Sequence, residues 1–197
     1  THNVMKKLLE TFEALKQKNL SIDLTRGKPH SDQLDLSNDL MTQAVDPIGE
    51  NGVDLRNYGE PIGIIEARRL GADILDSRVD LTIAGEQSSY LLMTQLLLGR
   101  SLFGLDDDPW KDDKEPAFLC AVPGFDRHFA TLEGLGLKMH TVNLCSSGID
   151  LDDLNKKLSK YPNIKGLICV PRHSNPSGEV FSDENITNLL KITKEYN

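Results

Sequence analysis

Apolar residues recur at Val4, Leu8, Leu9, Phe12 and Leu15, the spacing of one helix face, and predict an amphipathic helix over residues 3–18. From residue 20 to residue 60 that periodicity stops. The stretches LSIDLTRGKPHSDQLDLS and DPIGENGVDLRNYGEPIG are rich in Gly, Pro, Asn and Asp and predict extended, loop-dominated chain. Ordered loops of that length often carry function. A helix is expected from about Ile64 to Leu75. Beyond it, short apolar runs alternate with helical patterns. Strand 79–84 (VDLTIA) precedes a helix from Ser88 to about Phe103, and strand 117–122 (AFLCAV) precedes a helix from Asp126 to Leu135. Strand 138–143 (KMHTVN) leads to helix 151–160, and strand 165–171 (KGLICVP) to helix 182–196. This alternation implies parallel strands joined by right-handed helical crossovers, hence an α/β fold. Residues 1–60 form a helix with an extended segment, and residues 61–197 carry the layered part. No internal repeat is found.

The bulk properties narrow the partners. The chain has 197 residues, 39% hydrophobic, with 22 basic and 30 acidic side chains and a formal charge of −8. That length suits one domain with an appendage. An acidic chain is a poor partner for nucleic acid. No window reaches the length of a membrane span, and the opening THNVMKKLLE lacks the apolar core of a signal peptide, so the expected location is cytoplasmic, away from membranes. Cys120, Cys145 and Cys169 are an odd number in mostly apolar settings and read as reduced core residues. The sequon at Asn185 then has no meaning.

Ligands of open α/β sheets bind beyond the carboxyl ends of the strands. Three predicted strands end in unusual loops: GEQSS at 85–89, PGFD at 123–126 and RHSNPSG at 172–178. GEQSS opens a helix, where backbone N–H groups and serine hydroxyls suit a phosphate; an ordinary N-cap by Ser88 or Ser89 explains the same residues. PGFD puts Phe125 at a strand mouth, either to stack on a planar ligand or as a core aromatic. Asp126 is expected to cap the helix that follows. His128 and Cys120 have no metal-binding spacing, and no metal site is expected. In NPSG, Pro176 restricts Asn175 to an extended conformation, Gly178 permits a tight return, and the Asn175 amide points in a fixed direction; a plain folding turn has the same composition. No Walker motif and no GxGxxG follows any strand.

Taken together, the loops resemble those of fold-type I pyridoxal-phosphate (PLP) enzymes of the aspartate aminotransferase superfamily, and within it the MocR-like aminotransferase group. NYGEPIGIIEARRLGADIL is similar to the family's YG-x-x-x-G-x-x-E-x-R segment. VPGFDRHFATLEGLG is similar to P-G-[YF]-D-R-H-F, and VPRHSNPSGEVFSDE to V-P-x-x-S-N-P-[TS]-G. The resemblance implies a three-layer αβα large domain with a mostly parallel sheet, incomplete in this chain. It assigns Gln87, Ser88 and Ser89 to the PLP phosphate, Phe125 to stacking on the pyridine, and Asn175 to the 3-hydroxyl and the substrate carboxylate. Tyr58 would reach the phosphate from the other subunit of a homodimer, and Arg26 and Gly27 belong to the segment that closes over substrate. Two departures are visible. Glu86 stands where the group usually has a small or neutral residue, and Phe125 replaces the usual tyrosine, which keeps stacking and loses a hydroxyl contact.

The resemblance also implies residues not in view. The lysine that would form a Schiff base with PLP is expected beyond Asn197, together with a carboxylate for the pyridine nitrogen and an arginine for the substrate. The chain is therefore read as the amino-terminal part of a longer protein, inactive alone. The implied activity is transfer of an amino group between an amino acid, aspartate among the candidates, and a 2-oxo acid. The alternatives are a PLP-dependent lyase or decarboxylase, and the ligand-sensing domain of a MocR-type transcription regulator.

Overall fold

The computed structural model describes residues 2–23, 25–105 and 108–196. The chain divides into two compact units, Thr1–Gly59 and Glu60–Asn197.

The first unit begins with α1 (His2–Gln17). The segment that follows is more ordered than its composition suggests. Helix α2 (Ser31–Asp35) is capped reciprocally: the His30 imidazole accepts from the Asp32 N–H at 3.3 Å, and the Gln33 side chain accepts from the His30 N–H at 2.8 Å. A 3-10 turn, Asn38–Thr42, comes next. Residues 47–55 then fold into a small turn in which the Gly49 N–H donates to the Val53 carbonyl at 2.8 Å and the Leu55 N–H to Pro47 at 2.7 Å. The Arg56 guanidinium grips the Asp54 carboxylate with two bonds, at 2.8 and 2.7 Å, and lowers its pKa.

The second unit is built on a four-stranded sheet in the order β3-β2-β1-β4. Its elements in chain order are α3 (Ile65–Leu75), α4 (Ser89–Leu102), β1 (Ala117–Val122), α5 (Asp126–Gly134), β2 (Lys138–Cys145), β3 (Gly148–Ile149), α6 (Leu151–Lys160), β4 (Ile164–Ile168) and α7 (Asp183–Glu195). Strand β1 is central and runs parallel to both β2 and β4, from the pair Ala117–Lys138 to Val122–Asn143 on one side and through Leu119–Leu167 on the other. Buried on both faces, it is an unbroken apolar run, as parallel strands are. Leu119, Val142, Ile149, Leu154 and Leu189 form the core on the α6–α7 side. Leu97, Trp110, Phe118, Leu132 and Leu137 form the core on the α4–α5 side. The result is a helix–sheet–helix sandwich.

Three expectations are corrected. Residues 79–84 are not a strand: Val79–Leu81 make a 3-10 turn. The reason is Arg68 of α3, whose guanidinium donates to the carbonyls of Thr82 at 2.9 Å and Val79 at 2.7 Å, taking acceptors a ladder would need. Ala84 nonetheless donates to the Ile62 carbonyl at 3.0 Å, so the chain entering GEQSS is tied to the turn before α3. The sheet also gains the short antiparallel β3, through Leu144–Ile149 and Cys145–Gly148. Finally, Cys145 is exposed, whereas Cys120 is buried and Cys169 half-buried. Burial pushes the Cys120 thiol up to about 11, while the Ser147 hydroxyl and N–H beside it lower that of Cys145.

Candidate functional site

The chain leaves β1 through α5 to β2 on one side, then returns through α6 to β4 on the other. The direction of winding reverses at β1, and such a reversal opens a crevice beyond the carboxyl ends of the strands. A small crevice lies there, lined among others by Gly124, Phe125, His128, Cys169 and Ser174. It brings the PGFD loop after β1 and the RHSNPSG loop after β4 to one place.

In PGFD, Phe125 itself is the N-cap position of α5, in extended conformation and without a side-chain cap bond. Asp126 is therefore the first helical residue and not the cap; its charge still suits the positive end of the helix dipole. Gly124 is required by close approach: a Cβ there would stand 2.7 Å from both the Ala121 carbonyl oxygen and the Phe129 ring. The Phe125 ring is half-buried. Burial lowers the pKa of His128, which keeps its imidazole neutral to lower pH than usual.

RHSNPSG is closed by its own backbone. The Ser174 N–H donates to the Glu179 carbonyl at 3.1 Å, and the Gly178 N–H donates to the Ser174 carbonyl at 2.5 Å. Ser174 is buried at 5% exposure and lines the crevice. Asn175, Pro176 and Ser177 project from this closed turn and are exposed, with a cis peptide between Asn175 and Pro176. Ser174 is a fixed position of the V-P-x-x-S-N-P-[TS]-G pattern to which the sequence reading assigned no role.

GEQSS follows the 3-10 turn rather than a strand, and α4 positions it. Ser88 is the N-cap, its hydroxyl accepting from the Leu91 N–H at 3.4 Å. Ser89 and Tyr90 occupy the first two helical positions, whose N–H groups have no intrahelical acceptor. Glu86, at φ 51°, turns its carboxylate toward the flank of α4, where it accepts from the Gln95 amide at 3.2 Å. The Tyr90 hydroxyl and Thr131 hydroxyl are 2.6 Å apart, which fixes the first turn of α4 against α5, the helix that carries His128. Among the described residues, Gln87, Ser88 and Ser89 do not line the crevice. Their donors form a separate, exposed anion-suited end.

In the first unit, Tyr58 is 95% exposed, and its backbone N–H donates to the Asn57 side chain at 2.8 Å. Arg26 and Gly27 are exposed in a bend after Thr25, whose hydroxyl and N–H both donate to the Asp23 carboxylate. Leu24, the first residue of the LTRGKP segment, lies outside the described residues. Among the described residues, no cluster of three His, Cys, Asp or Glu side chains could hold a metal, and no helix is long and apolar enough to cross a membrane.

A family profile described as "Aspartate amino-transferase" matches residues 1–195. An aspartate aminotransferase of Corynebacterium glutamicum is 38% identical over 179 residues, covering 88% of this chain and 41% of the relative. The crystal structure of an aspartate transaminase from the same species superimposes with a TM-score of 0.81 at 36% identity, over 93% of this chain and 44% of that one. A Thermus thermophilus alpha-aminoadipate aminotransferase, solved with N-(5'-phosphopyridoxyl)-L-leucine, shares the fold alone: TM-score 0.58, 20% identity, 71% of this chain and 33% of that one. The chain thus spans less than half the length of the relatives it matches. The sheet and its helices are those of part of the large domain of fold-type I aminotransferases, and the chain belongs to the aspartate aminotransferase family.

Proposed function

We propose that this chain supplies one part of the active site of a PLP-dependent aminotransferase, which moves an amino group between an amino acid, aspartate foremost, and a 2-oxo acid. The observation that carries the reading is the meeting of the PGFD loop with Ser174 at the β1 switch point, which leaves Asn175 next in sequence at the exposed rim, with α4 braced against α5 by the Tyr90–Thr131 bond.

The donor set fits the cofactor. A phosphate needs N–H and hydroxyl donors in a positive field, and Ser88, Ser89 and the free first-turn N–H groups of α4 offer both. Glu86, the residue that speaks against an anion there, has its carboxylate engaged by Gln95 on the helix flank. Gln87 joins the same segment. The Phe125 ring gives an apolar face for the pyridine and keeps water from it. Asn175, whose amide can donate and accept, is assigned to the ring 3-hydroxyl and the substrate carboxylate. Tyr58 is assigned to the phosphate of a second copy in a homodimer, and Arg26 and Gly27 to substrate. PLP, when bound, supplies the electron sink for breaking a bond at the substrate α-carbon. No lysine lines the β1–β4 crevice among the described residues, and the reactive lysine is assigned to sequence outside these 197 residues. A cytoplasmic place and membership of the MocR-like group belong to the same reading.

The test is a half-reaction. The protein as its gene encodes it, loaded with PLP, is mixed with aspartate in the absence of any oxo acid. The cofactor absorbance should shift to that of the amine form and return on adding 2-oxoglutarate. Loss of carbon dioxide or ammonia, with no recovery on adding the oxo acid, would count against transamination.

A further inference from the structure

Phe125 is held by its own helix. Its ring meets the His128 imidazole in a T-shaped contact, with centroids 5.2 Å apart and planes at 83°. The Arg127 guanidinium stands over the same ring at 5.6 Å. The spacing from 125 to 128 is one that brings side chains of adjacent helical turns together, and the His128 N–H donates to the Phe125 carbonyl at 3.1 Å. The imidazole is half-buried and lines the same crevice as Phe129, Ile168 and Cys169. Gly124, the residue before Phe125, leaves no room for a Cβ beside the Ala121 carbonyl and the Phe129 ring.

Other roles for His128 fit this setting less well. Among the described residues it has no companions for a metal. As a charged anion ligand it would be opposed by its burial, which favours the neutral ring. What the geometry does provide is a second aromatic edge that restricts the side-chain rotation of Phe125.

Resting on the cofactor reading above, we propose that His128 is a positioning residue: through its T-shaped contact it fixes the rotamer in which Phe125 is presented to the cofactor ring. The PGFDRH segment is then one device, in which the glycine sets the backbone, the phenylalanine faces the ligand, and the histidine locks the phenylalanine.

The experiment titrates PLP into the protein as its gene encodes it, with the melting temperature of the cofactor-free form measured in parallel. His128→Leu keeps bulk and removes the aromatic edge; it should weaken PLP binding about fivefold, the effect of about 1 kcal/mol for an aromatic pair. His128→Phe should bind within about twofold of wild type. In a Phe125→Leu background, His128→Leu should cost nothing further, since a residue acting through Phe125 has nothing left to act on. Equal losses in both backgrounds, wild-type affinity in His128→Leu, or failure of His128→Phe to restore binding would each overturn the inference. Wild-type protein that shows no saturable PLP binding would sink the cofactor reading itself, and is distinguishable from those outcomes without any variant.

Discussion

Asn175→Ala should lower kcat/KM for amino transfer about 30-fold, the equivalent of about 2 kcal/mol for a hydrogen bond to a charged group. Its melting temperature should stay close to wild type. The two halves of this expectation have separate physical origins. Asn175 projects from a turn whose closure is made by other groups, the Ser174 N–H to Glu179 and the Gly178 N–H to Ser174. Its side chain is exposed, and exposed substitutions away from caps and backbone strain usually change stability by less than about 0.5 kcal/mol. A large kinetic loss with an unmoved melting curve therefore assigns the amide to ligand. A melting curve that falls while kcat/KM holds would make NPSG a folding turn and nothing more.

The second large effect is structural and reaches the phosphate end. Gly63→Ala should destabilise the protein by about 3 kcal/mol, or roughly 10 °C in melting temperature, and weaken PLP binding as well. Gly63 has φ +87°, and a Cβ there would stand 2.1 Å from the Ala84 carbonyl oxygen. The neighbouring bond from the Ala84 N–H to the Ile62 carbonyl is the last anchor before GEQSS, so displacing it moves Gln87 and Ser88. Gly99→Ala is the control. Gly99 lies inside α4 with nothing within 4 Å of a Cβ, so the same chemical change should stabilise by up to about 1 kcal/mol through helix propensity. Urea titrations of both variants, with and without PLP, give the two signs. A Gly63→Ala protein as stable as wild type would show that the 62–84 contact does not hold the loop.

Much of the second unit could be read in advance because its signals are local. Helix α6 runs over the residues its Leu151, Leu154 and Leu158 spacing marks, and β1 coincides with the apolar run AFLCAV. The failures come from contacts made across the chain. VDLTIA has the look of a strand, but the side chain that claims its carbonyls, Arg68, is 11 and 14 residues away in sequence. Helix α2 went unseen because its cap is a histidine, which is not among the usual capping residues. Cys145 sits in an apolar-looking strand, yet it falls on the outward phase of β2, opposite to the buried Val142. At the site, motif spacing pointed to Phe125 and Asn175 as strand-end residues. It could not reveal that buried Ser174 lines the crevice, because that depends on how two loops meet. The packing of His128 on Phe125 depends on where α5 begins, since the helical i, i+3 spacing applies only once Phe125 is its N-cap.

The central claim is that these loops serve PLP while the lysine that holds it lies elsewhere in the sequence. Borohydride reduction of the PLP-loaded protein makes the lysine–cofactor linkage permanent, and peptide mapping then locates it. The account predicts a pyridoxyl group on a single lysine outside residues 1–197; a stoichiometric label on a lysine within them, such as Lys28 or Lys165, would contradict it.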